Sequence, residues 1–247
     1  MKKIIFIVLL TTQVFFAQNA FETGNDLYKK GQYNEAIVAY QNVLKSKKQS
    51  AELYFNLANC YYKLNKVAPA IYNYEKALLL NPNDQEIKNN LQFAQKLQID
   101  EIKVIPKVGF AKVLQNITST FHYNTWGWVS IGFAFLFLFF FLGYYFSETT
   151  LSKRIFFIGM FVFIFGLVIS FAAAVFEKNT YNNERPAIVF AEVVSVKSEP
   201  KATSSDVVVV HEGTKVFVQE SSDNWKKIQL TDETTGWIEE SAIKEIK

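Results

Sequence analysis

Two apolar runs without a charged residue occupy the middle of the chain and predict a pair of membrane-spanning helices. The runs cover residues 126–146 and 155–176, and a polar connector, residues 147–154, joins them. At about 1.5 Å per residue, a helix of either length just spans a hydrocarbon layer of roughly 30 Å. Side chains that favour the headgroup region flank the first run: Trp126, Trp128, Tyr144 and Tyr145.

The amino terminus has the order of a secretory signal. Lys2 and Lys3 precede an unbroken apolar run over residues 4–10, and an apolar shoulder over residues 14–17 leads into the polar stretch that follows. This order predicts a signal peptide over residues 1–18 that is cleaved close to its last residue. Because Phe15 is bulky for a position near a cleavage site, an uncleaved anchor is the alternative. Both versions export the residues that follow.

The signal and the two spans together predict the topology of the chain. An exported start followed by two crossings places both flanking regions on the same side of the membrane, outside the cytoplasm. The connector, residues 147–154, is then cytoplasmic, and its Lys153 and Arg154 fit the excess of basic residues in cytoplasmic loops.

A repeat with a period of 34 residues precedes the membrane region. Shifting the chain against itself by this period aligns these pairs: Gly24 with Ala58, Asn25 with Asn59, Ala36 with Ala70, Tyr40 with Tyr74 and Leu44 with Leu78. Small residues are expected where helices cross closely, beside a ring that fills the remaining space. The period predicts a helix-turn-helix array over residues 19–100, with repeats at about 17–50 and 51–84.

A further amphipathic helix is predicted to cap this array. Between residues 84 and 98 apolar residues recur at helical spacing, namely Ile87, Leu91, Ala94 and Leu97. The remaining positions are mostly polar, as expected for a helix that closes a solenoid. Residues 101–125 are then a linker to the first span.

The pattern changes to short β-rich segments after a linker over residues 177–186. The predicted strands are 187–196, 207–210, 214–219, 225–230 and 236–238. Such closely spaced strands indicate a small all-β barrel over residues 187–247. The predicted fold class is therefore a multidomain membrane protein with an all-α repeat solenoid, a two-helix transmembrane hairpin and a small all-β barrel.

Composition supplies few reactive groups. The formal net charge of +3 is small, and neither flank carries the basic patch of a nucleic-acid-binding protein. Cys60 is the only cysteine, so one chain cannot form a disulfide or a thiolate metal site, and its position among helix-packing residues favours a buried apolar role. We expect no catalytic, metal-binding or cofactor-binding residues, and we do not expect an enzyme.

The repeat resembles the tetratricopeptide repeat. The second unit carries the resemblance at Tyr54, Leu57, Ala58, Tyr61, Ala70, Tyr74, Ala77 and Pro82. The resemblance implies a concave groove, lined by the first helix of each unit, that receives a peptide of a partner protein. By position, the candidate partner-binding residues are Asn25, Tyr28, Phe55, Asn59, Tyr62 and Lys63. The alternative is that these side chains are solvated or pack within the array.

The β-rich region resembles the bacterial SH3-like domain. The resemblance lies in residues 196–200, 212–216, 225–228 and 236–238. It implies a module that binds cell-wall peptides or docks against a neighbouring protein. Trp225 and Trp237 are candidates for a ligand platform, and a place in the barrel core is the favoured alternative.

The order of these parts is similar to that of the BatE family of bacterial aerotolerance operons. The similarity implies a multi-pass protein of the bacterial inner membrane, with both flanking domains in the periplasm, that works with other membrane-bound Bat-type proteins. It also implies a link to oxidative or envelope stress. We therefore expect a non-enzymatic scaffold or adaptor for protein-protein interactions in an envelope complex. The alternative is a peptidoglycan-binding or envelope-sensing module that acts through the SH3-like domain.

Overall fold

The computed structural model describes residues 20–102 and 109–247. The predicted signal peptide, residues 1–18, lies outside the described residues. The chain forms two compact units. One combines the amino-terminal helices with Arg185–Lys247, and the other is Pro106–Glu184.

The first unit begins with helices that pack in antiparallel pairs. The described part of α1 covers residues 20–29, and the helices that follow are α2 (Tyr33–Lys45), α3 (Ala51–Lys63), α4 (Val67–Leu80) and α5 (Gln85–Gln95). Side-chain caps fix two helix starts, because Ser50 accepts a hydrogen bond from the backbone N–H of Leu53 and Asp84 accepts one from that of Ile87.

Small residues set the distance between these helices. Ala36, Ala58 and Ala70 are almost completely buried, and a Cβ atom added to Gly24 would overlap the ring of Tyr40. The helices therefore approach one another at small side chains while tyrosine rings fill the space alongside. The helical repeat region predicted from the 34-residue period is confirmed.

The carboxy-terminal region is a small antiparallel sheet, consistent with an SH3-like domain, as predicted. Its strands are β1 (Pro186–Val189), β2 (Val193–Lys197), β3 (Asp206–His211), β4 (Lys215–Ser222), β5 (Trp225–Gln229), β6 (Thr235–Glu239) and β7 (Ile243–Glu245). They are ordered β3-β2-β6-β5-β4-β1-β7, and the domain that they form is here called the barrel. Val196, Val210 and Ile238 lie in the barrel core.

The segment 187–196 contains two strands where the pattern predicted one. The chain turns after Val189 because the backbone N–H groups of Phe190 and Ala191 both donate to the carbonyl oxygen of Ala242, at 2.8 and 3.3 Å. This turn takes Phe190 out of the sheet and towards the helices, where its ring lies 5.7 Å from that of Tyr72.

The barrel and the helical array share one hydrophobic core. Ile188 and Ile246 of the barrel are buried in the same cluster as Ile71 and Tyr72 of α4 and Ile87 of α5. The two regions of the first unit are therefore packed together.

The second unit consists of α6 (Phe110–Thr118), α7 (Tyr123–Phe146) and α8 (Thr150–Asn183). The last two helices are long and apolar enough to cross a membrane. Gly159 and Gly166 of α8 face the rings of Phe140 and Phe133 of α7, because a Cβ atom at either glycine would crowd its ring. A hydrogen bond of 3.0 Å also joins the hydroxyl groups of Ser130 and Ser170 between the two helices. Close packing at small residues thus holds the hairpin together.

Candidate functional site

The first helices of successive repeats form one surface, here called the inner face, from α1, α3 and α5. The Asn56 side-chain amide donates to Oδ1 of Asn25 at 3.0 Å, which joins α3 to α1. The Asn90 amide donates to Oδ1 of Asn59 at 3.1 Å, which joins α5 to α3 in the same way. These bonds place the predicted candidates Asn25 and Asn59 at equivalent positions of the inner face.

Each of these asparagines also binds a buried tyrosine. The hydroxyl group of Tyr40 donates to Oδ1 of Asn25 at 2.7 Å, and that of Tyr74 donates to Oδ1 of Asn59 at 2.5 Å. Burial raises the pKa of both phenols, so both remain hydrogen-bond donors at neutral pH.

The Oδ1 atoms of Asn25 and Asn59 therefore accept hydrogen bonds within the array, whereas their Nδ2 atoms can donate to a ligand. Within residues 20–102 and 109–247, the Nδ2 atoms of Asn25 and Asn59 make no hydrogen bond. An amide N–H donor at this position suits a carbonyl oxygen of an extended peptide.

The other four predicted residues add aromatic surface and one charge to the inner face. Tyr28 is half-buried and packs edge-on against Tyr33 at 5.4 Å between ring centroids. Phe55 lies 6.0 Å from the ring of Tyr74, and Tyr62 is half-buried. Lys63 is exposed, and within the described residues it forms no ion pair.

The inner face extends onto α5, from which the sequence analysis named no candidate. The 34-residue period that relates Asn25 to Asn59 reaches Phe93 when it is applied once more. The Phe93 side chain is 52% exposed, and the ammonium group of Lys96 lies 5.3 Å from its ring centroid. Applying the 34-residue period once more to Asn59 would therefore have identified Phe93 from the sequence.

The barrel contacts the side of the array opposite the inner face. The ammonium group of Lys215 lies 2.8 Å from both carboxylate oxygens of Glu75 on α4. The side-chain amide of Gln98 donates to the carbonyl oxygen of Gly213 at 2.5 Å. Neither of these contacts involves a candidate residue of the inner face.

Asp100, in the segment after α5, accepts hydrogen bonds from the barrel. Its Oδ2 atom accepts from the backbone N–H of His211 and from the hydroxyl group of Thr214, both at 2.6 Å, and Oδ1 lies 2.7 Å from the Nδ1 atom of His211. Burial acts to raise the pKa of this carboxyl, but the bonds from Thr214 and His211 outweigh it, so the pKa lies below its ordinary value. The hydrogen bonds of the Asp100 carboxylate therefore stabilise the contact between the barrel and the array.

Trp225 and Trp237 project from one face of the barrel. Trp225 pairs with Glu239 and Lys227 pairs with Trp237 across β5 and β6. Because side chains alternate along a strand, both tryptophans and Lys227 lie opposite the buried face that carries Ile228. Both rings are half-buried. We call this surface the tryptophan face.

Cys60 lies in the helical core beside Ala36 and Leu57. Burial raises the pKa of its thiol to about 12. The side chain is therefore a protonated, apolar packing group rather than a nucleophilic thiolate.

Comparison with protein families gives three partial matches. A TPR repeat model matches residues 24–65, a tetratricopeptide repeat model matches residues 51–84, and a bacterial SH3 domain model matches residues 191–245. The helical array and the barrel are thus each similar to an interaction module. Nothing in these matches indicates an enzyme.

Curated relatives are similar to this chain over short stretches. The chain is 36% identical over 66 residues to Hsp70-Hsp90 organizing protein 1 of Glycine max, and 35% identical over 75 residues to sperm-associated antigen 1 of Rattus norvegicus. These stretches cover 27% and 30% of this chain but only 12% and 8% of the relatives. Among solved structures, the first TPR domain of human RPAP3 is 24% identical, with a TM-score of 0.24, and the match covers 33% of this chain and 91% of that domain.

Proposed function

We propose that this chain is a membrane-anchored adaptor that holds a peptide of a protein partner on its inner face. The main support is that the barrel binds Glu75 of α4, whereas on the inner face Phe93 is 52% exposed and the amide nitrogen of Asn59 makes no hydrogen bond within the described residues. A row of hydrogen-bond donors beside aromatic surface suits an extended peptide, which offers backbone carbonyls and apolar side chains.

Substitutions on the inner face test this function. Replacing Tyr62 and Phe93 by alanine removes two aromatic rings from the inner face, so recovery of partners in detergent co-purification is expected to fall at least tenfold. Val38→Ala is the matched control, because Val38 is an apolar residue of α2 with 57% exposure outside the inner face. Equal recovery of partners by the double variant and the control would contradict the proposal.

The proposed location is the bacterial inner membrane, with α7 and α8 as the crossings and both flanking regions in the periplasm. The predicted export signal and the charge of the connector support this orientation, and so does the packing of the flanking regions as one unit. The order of parts further supports membrane-bound Bat-type proteins as the partners, in an envelope complex related to aerotolerance.

Reporter fusions test the orientation. Alkaline phosphatase, which is active only after export, is expected to be active when it is fused after Lys247 and inactive when it is fused after Glu148 in the connector. The opposite result for the two fusions, measured in whole cells, would place the flanking regions in the cytoplasm.

The second candidate function is binding of peptidoglycan through the tryptophan face. This face is favoured because Trp225 and Trp237 flank Lys227 on strands that lie apart from the barrel residues contacting α4. Aromatic rings beside polar groups suit sugar rings and short peptides.

Sedimentation with purified cell-wall sacculi tests this candidate. Trp225→Ala together with Trp237→Ala is expected to lower the bound fraction of full-length protein at least fivefold. Val193→Ala, at a barrel residue with 61% exposure, is the matched control. If wild-type protein does not sediment with sacculi at all, the tryptophan face is not a wall-binding site.

A further inference from the structure

A cavity of about 410 Å³ lies where the outer side of the helical array meets the barrel, away from the inner face. We call it the outer cavity. Aromatic rings from both regions line it, with Tyr54 and Tyr72 on the helices and Phe190 after β1. Its volume is within the range of ordinary ligand pockets, which combine an apolar lining with a few polar groups.

Three lysines also line the outer cavity, namely Lys45, Lys76 and Lys244. The ammonium group of Lys76 lies 5.7 Å from the ring centroid of Tyr72, and that of Lys244 lies 4.6 Å from the same centroid. Both distances are those of cation-π contacts, so the two charges share one aromatic ring.

These three lysines have no carboxylate partner among the residues that the structure describes. Burial lowers the pKa of Lys76, and the nearby charge of Lys244 lowers it further. Two like charges at one ring repel each other in a partly desolvated place. An anion between them would relieve this repulsion.

The outer cavity also contains two hydroxyl groups that can donate hydrogen bonds to a ligand. The hydroxyl groups of Tyr54 and Tyr72 make no hydrogen bond within the described part of the chain. Burial raises the pKa of Tyr72 to about 12, so its phenol remains a donor at neutral pH. The outer cavity therefore offers positive charge, O–H donors and apolar surface together.

We propose that the outer cavity is a second binding site, which takes a short acidic peptide segment that carries an apolar side chain. Carboxylates of the segment bind Lys76 and Lys244, and the apolar side chain packs against Tyr72 and Phe190. Inorganic phosphate satisfies the lysines but leaves the aromatic wall unused, so the lining favours a peptide. The site goes beyond the proposed function because it shares no residue with the inner face.

A fluorescent hexapeptide of alternating Glu and Phe is the probe, measured by anisotropy with the full chain in detergent. Lys76→Gln together with Lys244→Gln is expected to weaken binding at least tenfold, and Phe190→Leu several-fold. Binding to the wild type is expected to weaken as salt is added. Lys30→Gln, at an exposed lysine in the turn between α1 and α2, is the matched control and is expected to bind as the wild type does.

Three outcomes would overturn the proposal while thermal unfolding of the variants stays normal. The first is equal affinity of the double lysine variant and Lys30→Gln. The second is equal affinity for a peptide in which Gln replaces Glu, and the third is displacement of the probe by an equal concentration of inorganic phosphate. The variant with alanine at Tyr62 and Phe93 is expected to retain the probe, which separates this site from the inner face.

Discussion

Replacement of Tyr74 by alanine is expected to destabilise the helical array by about 3–5 kcal/mol, because it removes a fully buried aromatic ring. The ring fills the space beside Ala58 and Ala77 in the core, and its hydroxyl group binds Asn59. Alanine leaves a cavity there and deprives Asn59 of one of its two donors. Since a domain is stable by only about 5–15 kcal/mol, the loss is large for a short array. Thermal unfolding followed by far-ultraviolet circular dichroism measures it.

Tyr74→Phe is the matched control for this loss. Phenylalanine keeps the ring and removes only the hydroxyl group, so the expected cost is about 0.5–1.5 kcal/mol. Tyr40, which has 1% exposure and the equivalent bond to Asn25, is expected to give the same pair of values in the first repeat. Equal losses for the alanine and phenylalanine variants would show that the hydrogen bond, rather than ring packing, stabilises the array.

The helical array could be predicted from the sequence because close helix crossings require small residues, and these recur every 34 residues along the chain. Gly24 and Ala58 recur at one crossing because larger side chains would separate the helices there. The role of Asn25 was harder to predict, since its oxygen binds Tyr40 and Asn56, which lie 15 and 31 residues away. An asparagine at a groove position and one inside a polar network look alike until helices that are distant in sequence are brought together.

The packing of the barrel against α4 could not be predicted from the sequence for a related reason. Ile188 lies in an unbroken apolar run and Ile246 lies between two charged residues, yet both are buried in the helical core cluster. The outer cavity depends on the same contact, because Phe190 lies just after β1, where its backbone N–H donates to the carbonyl oxygen of Ala242 and its ring packs against Tyr72. Alternation along a strand predicts on which face of the sheet a side chain lies, but it does not predict which other part of the protein covers that face.

Replacement of Asp100 by asparagine is expected to loosen the barrel from the helical array, at a cost of about 1.5–3 kcal/mol, the scale for hydrogen bonds to a charged group. An amide of the same shape can keep an acceptor oxygen for the backbone N–H of His211 and the hydroxyl of Thr214, but it loses the negative charge that strengthens these bonds. Hydrogen exchange of the amides in residues 211–215 is expected to speed up as the contact opens. Asp232→Asn, at an exposed aspartate of the barrel, is the matched control and is expected to leave that exchange unchanged.

Acid is expected to loosen the same contact in the wild type. The pKa of Asp100 in the folded protein lies below its ordinary value, which is about 3.9. A carboxyl with a depressed pKa contributes its full stabilisation above the unfolded-state pKa and loses it as the pH falls through the folded-state pKa. The protection factors of residues 211–215, which correct for the intrinsic pH dependence of amide exchange, should therefore fall in the wild type below about pH 4, whereas Asp100→Asn should lack this step because it has no proton to gain. The same acid step in both proteins would assign the loss to another group, and the Asp100 carboxylate would then not be what fastens the barrel to the array.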